Sequence, residues 1–198
     1  MVMIFDRDKN QVKINMEKYI REIIKSFEEM EPDEKIKSVS TMATSNLFKT
    51  HKGEIEKVSK QRASNFHATV AKLLFVAKRA PPDVLLAVLF LTTRVKSPDS
   101  DDWNTMKRIL GYLMETIEYH FTLNCSNLNN LTWYIDGSYA SHSDMRGQSG
   151  AVLMAGDCAV LFKSNKQKVN TSSSMEIELI AVDDALPTVQ WVKPFMRE

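Results

Sequence analysis

Cysteine is scarce in this sequence. Cys125 and Cys158 are the only two, too few for a disulfide framework or a zinc quartet, and they fit a reducing compartment. Long hydrophobic runs are also missing. The longest, Val84 to Leu91, falls far short of the roughly 20 residues that span a bilayer, so no membrane partner is expected. The first residues, MVMIFDRDKNQ, lack a basic stretch followed by a long apolar one, so no secretory leader is read there. The N-x-Ser/Thr patterns at Asn124, Asn130 and Asn170 are then chance, and an intracellular site, cytoplasmic or nuclear, is expected. Charge of one sign is lacking too. A net charge of +1 argues neither for nor against a nucleic-acid partner, so any basic surface must be local. No P-loop, GxGxxG, GxSxG or HExxH-like spacing occurs. What is present is an ordinary globular balance, 43% hydrophobic and 26% charged over 198 residues, enough for one domain or two small ones.

Residues 1 to 14 read as a hairpin around the turn-rich Asp6–Asn10. Asn15 can cap a helix over 16–29, where Met16, Tyr19, Ile20, Ile23, Ile24 and Phe27 recur at helical spacing. Its acidic end at Glu28, Glu29 and Glu31 opposes the helix dipole, so fraying is expected there. Residues 31–63 read as a long connection. Three helices then follow: one from a Ser64 cap with Phe66, Val70, Leu73, Leu74 and Ala77 on one face; one from Val84 to about Arg94, apolar nearly all round; and one from about Asp101 to Glu118 with Trp103, Met106, Leu110, Leu113, Met114 and Ile117 on one face. Asp99, Asp101 and Asp102 are explained by the start of that third helix. After Phe121 the pattern turns to strands at 131–135, 150–154 and 159–162, separated by a long turn region over 137–148 and a tight turn at 155–157. A last helix opens near Ser173, and Pro187 is expected to end or kink it. The segments are therefore 1–30, 31–63, 64–125 and 126–198, with a joint near residue 126. The fold class is α+β.

The chemistry-bearing residues lie in the last segment. Asp136 ends an apolar strand and precedes Gly137, and two readings stand: a metal-binding carboxylate, or an Asp-Gly turn former. Ser173 and Glu176 form a capping box, which leaves Glu178 without a structural task at a helix start where the dipole favours its ionised form. One acid at a strand end and one on a first helical turn is a layout that holds a divalent cation against a phosphodiester. Lys163, Lys166 and Lys168, among amides and hydroxyls, read either as a phosphate-contacting loop or as a solvated turn. Asp183-Asp184 lies within a helical pattern and is not read as a polymerase pair.

The stretch YIDGSYASHSDMRGQSGAVLMAGDCAVLFKSNKQKVNTSSSMEIELIAVDDALPTVQW resembles the ribonuclease H region of copia-type retrotransposon polyproteins. The marks are an Asp at a strand end followed by a small residue and YAS, a D-x-R turn, an Lys-Gln pair before the helix, and SS-x-E-x-E-x-x-A opening it. VKINMEKYIREIIKSF and the helical stretch from Phe66 to Leu113 resemble the segments that follow the polymerase palm and join it to ribonuclease H. The resemblance implies a partial ribonuclease H-like mixed sheet with one helix. It implies two-metal hydrolysis of RNA in RNA–DNA hybrids, with Mg2+ or Mn2+ as cofactor. Asp136 and Glu178 match the first two catalytic, metal-holding carboxylates; Ser138, Ser173, Ser174 and the three lysines fall on the side expected to touch the hybrid.

Departures from the family pattern carry their own expectations. The third and fourth ribonuclease H carboxylates and the polymerase aspartates have no counterpart, so the chain reads as truncated at both ends. Pro81 and Met114-Glu115-Thr116 replace family residues. A site with two carboxylates is expected to bind metal poorly and to be inactive alone. The strand 131–135 is expected to present an open edge to a strand-pairing partner. The alternative function is a non-catalytic module that binds nucleic acid or protein.

Overall fold

The structure is a computed structural model and describes residues 1–44, 47, 56–80, 82–124 and 130–195. Among the described residues it holds five α-helices and two three-stranded antiparallel sheets, an α+β fold. The chain divides into two compact units, Met1–Thr122 and Leu123–Glu198. The joint expected near residue 126, like Cys125 and Pro81, lies outside the described residues.

In the first unit, β1 (Val2–Asp6) and β2 (Gln11–Asn15) pair antiparallel, Val2 opposite Asn15 and Asp6 opposite Gln11. Asn10 takes a positive φ of 50° in the connecting turn, a conformation that Asn tolerates better than most residues. The third strand of this sheet, β3 (Phe121–Asn124), adds beside β2. Helix α1 (Glu17–Met30) follows at once, and the Asn15 side chain accepts the Glu17 amide at 2.6 Å. Its periodic face buries Ile20, Ile23, Ile24 and Phe27.

At the end of α1, where fraying is expected, the structure gives Glu31 side-chain partners. Glu31 is buried there and accepts hydrogen bonds from Asn65 (2.8 Å) and Arg62 (3.2 Å) of α2 (Lys60–Ala77). These partners outweigh the unfavourable dipole. Helix α2 also starts earlier than Ser64 suggests. Ser59 accepts the Arg62 amide, and the good helix formers Lys60, Gln61, Arg62 and Ala63 fill the first turn.

A 3-10 turn at Pro82–Val84 leads into α3 (Leu85–Thr92), whose apolar residues are mostly buried. Helix α4 (Ser100–Glu115) begins with a full capping box. Asp99 accepts the amides of Asp101 and Asp102, Asp102 accepts the Asp99 amide, and Arg94 donates to both carboxylates at 2.9–3.1 Å. Burial pushes the Asp102 carboxyl above its usual range, opposed by the Asp99 amide and the Arg94 charge.

The stretch read as a loose connection is fastened where it is described. Glu34 binds Arg62 at 3.0 Å and also Lys107. The Lys107 hydrogen bond holds the Glu34 carboxyl below the usual glutamate range. The Val39 amide reaches the Gly111 carbonyl. A Cβ at Gly111 would stand 2.0 Å from the Lys37 carbonyl oxygen, so only glycine lets this strap lie against α4.

In the second unit, β4 (Leu131–Ser138), β5 (Gln148–Ala155) and β6 (Cys158–Lys166) form one antiparallel sheet with β5 central. The resemblance implies a mixed sheet, but every pairing described here is antiparallel. The strands are longer than expected: β4 continues through Asp136 and Gly137 into the expected turn, and β6 absorbs Lys163 and Lys166 from the expected loop. Helix α5 (Ser174–Phe195) packs on the sheet through Ile177, Ala181, Ala185 and Val192.

Helix α5 also runs through Pro187, where a stop or kink was expected. A proline removes an amide and crowds the preceding turn. Within that turn the Asp184 carbonyl accepts a hydrogen bond from the Lys163 ammonium.

Candidate functional site

Asp136 lies within β4, opposite Gly150 of β5, so it is a strand residue and not the first residue of an Asp-Gly turn. Strand alternation puts it on the exposed face with Tyr134 and Ser138. Gly137 faces the other way, toward α5. A Cβ at Gly137 would lie 2.4 Å from Ile177 Cγ2 and 2.9 Å from the Ile177 carbonyl oxygen. The first turn of α5 therefore rests directly on the backbone of β4, a close approach that requires glycine. Asp136 and Glu178 are each one residue from that contact.

The contact is held from below by a chain of polar groups. Gln167, 1% exposed, donates to the Ile177 carbonyl (3.2 Å) and to Ser149 Oγ (3.1 Å). Ser149 in turn donates to Asp184 at 2.7 Å. Neither Gln167 nor Asp184 stands out in the sequence as a positioning residue. The signal available was a glutamine between two lysines, which composition reads as solvated.

At the helix start, Ser173 Oγ accepts the Glu176 amide (3.2 Å) and Glu176 reaches back to the Ser172 amide (2.6 Å). This is the expected capping box, displaced by one residue on its return leg. Glu178 is exposed, as is Asp136, and among the described residues neither side-chain carboxylate takes a hydrogen bond or an ion pair.

The remaining candidates spread out. Ser138 Oγ is 2.5 Å from Ser141 Oγ. Lys163 is turned onto α5, and Lys166 pairs with Asp144 at 2.8 Å, which lowers the Asp144 carboxyl from its usual range. Lys168, Ser173 and Ser174 are exposed. The structure thus puts Asp136 and Glu178 next in sequence to the Gly137–Ile177 contact, leaves Ser173 and Ser174 at the start of α5, and commits Lys163 and Lys166 to internal partners.

Hard carboxylate oxygens suit Mg2+ or Mn2+ in kind. In number they are two, and among the described residues no group of three or more His, Cys, Asp or Glu is placed to hold a metal ion. Water would have to complete the coordination of any cation bound there. No helix among the described residues is long and apolar enough to cross a membrane.

A separate cleft of about 280 Å³ lies in the first unit, between Ile14, Met16, Ile20, Leu113 and Ile117. At its rim Tyr112 donates to Asp83, and this bond, with burial, pushes the phenol up to about 12.

No protein-family model and no solved structure matches the chain. Curated relatives do. The chain is 29% identical over 164 residues to the retrovirus-related Pol polyprotein from transposon RE2 of Arabidopsis thaliana, covering 82% of this chain and 11% of that one. It is 25% identical to the Pol polyprotein from transposon TNT 1-94 of Nicotiana tabacum, covering 100% of this chain and 15% of that one. It is 27% identical over 127 residues to secreted RxLR effector protein 161 of Plasmopara viticola, covering 63% of this chain and 89% of that protein. Over most of its length the chain is homologous to Pol polyproteins of copia-type transposons.

Proposed function

We propose that the chain is the part of a copia-type Pol polyprotein that runs from the end of the polymerase into ribonuclease H. On this reading its second unit binds RNA–DNA hybrid without cleaving it. The observation that carries the reading is the likeness to Pol polyproteins over most of the chain; Asp136 and Glu178 are each one residue from the Gly137–Ile177 contact. Exposed Lys168, Ser173 and Ser174 would supply phosphate and sugar contacts. Asp136 and Glu178 would hold a divalent cation, which in such sites activates water and stabilises a leaving oxygen. Two carboxylates do not fix the spacing of a metal pair, so hydrolysis is not expected. The cysteine content favours an intracellular setting.

Filter binding of labelled hybrid across a salt series tests the binding. Affinity that falls steeply with salt supports it, and absence of binding at low salt overturns it. Release of labelled RNA in magnesium or manganese tests the inactivity. Cleavage that vanishes in Asp136→Asn would show a working site.

The edge of β4 favours a second reading, a protein-binding module. β4 pairs with β5 alone among the described residues, and none of its eight residues is buried. A partner strand added there would cover Leu131, Trp133 and Ile135. Light scattering that finds a monodisperse monomer at high concentration counts against self-pairing through this edge.

A further inference from the structure

Helix α5 has a second apolar face that the sheet does not use. Met175, Leu179, Val182 and Leu186 are 75%, 65%, 48% and 42% exposed, and Val189 is half-buried. Their spacing of four, three, four and three residues is the 3.5-residue repeat of a helix–helix seam. On a helix they fall within one narrow stripe, well rotated from Ile177, Ala181 and Ala185, which meet the sheet. A stripe of this kind, left in water along a folded helix, marks an interaction surface.

The flanks say what fits it. Glu178 borders the stripe on one side, and Glu176 and Asp183 border it on the other. From Val169 to Val192 there is no Lys or Arg. A second copy laid along this stretch would meet acid or neutral residues and find no cation to pair with. An anionic lipid surface is repelled by the same flanks.

We propose that the Met175–Val189 stripe docks an amphipathic helix of a partner protein whose apolar seam is flanked by Lys and Arg. The seam supplies the contact area, and the acidic flanks select the partner and its register. The apolar residues of this surface are not among those assigned to the nucleic acid, and only Glu178 on its flank is shared with the proposed cation site.

The test is fluorescence anisotropy with the full chain and two labelled peptides, each three heptads long with Leu at the seam. One carries Lys at the flanking positions and the other carries Glu. The Lys peptide is expected to bind at least about tenfold more tightly than the Glu peptide. The double variant Leu179→Ser, Leu186→Ser is expected to lose that binding while its circular dichroism stays unchanged, since both residues are exposed. The double variant Glu178→Lys, Asp183→Lys is expected to reverse the preference. Equal affinity for the two peptides, or binding of neither, overturns the proposal. So does a free chain that sediments as a dimer abolished by the two serines, because a second copy then covers the stripe. Co-flotation with phosphatidylserine vesicles through the same residues overturns it as well.

Discussion

In Met1–Thr122 the side chains of Phe27, Phe66, Leu73, Leu91, Met106, Ile109, Leu110 and Leu113 have almost no contact with water. In Leu123–Glu198, among the described residues, only Ile177 and Gln167 are large side chains buried to that degree. The first unit closes four helices on one another and fastens them with Glu31, Glu34, Arg62 and Arg94. The second lays one helix on a three-stranded sheet. It keeps a row of apolar groups on the outer side of α5 and an unpaired edge on β4. The difference separates two ways of being folded. The helices of the first unit bury one another's apolar faces and leave exposed apolar groups mainly on the hairpin, at Val2, Met3, Ile4 and Phe5, whereas the second unit carries them along its one helix.

That contrast predicts different responses to substitution. The largest effect is expected from Phe27→Ala, which opens a cavity beside Trp103, 5.7 Å away between ring centres. A loss of about 4 kcal/mol follows for a ring removed from a close-packed core. Urea unfolding followed by Trp103 fluorescence, with Trp133 and Trp191 replaced by Phe, measures it. Next comes Arg94→Met, expected to cost about 3 kcal/mol because it strands the buried Asp102 carboxylate. Adding Asp102→Asn should recover much of the loss. If it does not, the charge pairing is not what fastens this end of α4.

Gly137→Val is expected to cost the second unit about 2 kcal/mol by prising α5 from β4. The Trp103 transition should stay where it was, and a shift of both transitions would contradict the division into two units.

The smallest effect belongs to Glu34→Gln. A carboxyl held below its unfolded value adds stability above the ordinary glutamate range, and that stability is lost as pH falls through the lowered value. The acid limb of the first unit's stability curve should flatten in the variant, with little change in thermal midpoint near neutral pH relative to the other variants.

Periodicity made the helical faces legible. The apolar positions of α1, α2 and α4 could be read at 3.6-residue spacing, and their buried residues largely agree with that reading. The order in residues 31–44 was not legible, because its fastenings are distant in sequence. Glu34 to Lys107 spans 73 positions, and no local pattern announces such a pair. At the candidate site, Asp136, Glu178 and the Ser173–Glu176 cap were legible as residue types at telling spacings. Gly137 was visible only as a turn signal, since the Ile177 carbonyl that it accommodates comes from 40 positions further on. Lys163 and Lys166 looked like a solvated run because the strand that carries them extends past its apolar part.

The start of α4 has a consequence in time rather than in energy. The amides of Asp101 and Asp102 are usually among the first in a helix to trade hydrogen with solvent. Here they point into the Asp99 carboxylate, which Arg94 also grips. Their deuterium uptake should therefore wait for the opening of the whole helix bundle, on the slow clock of its core rather than the fast one of a helix end.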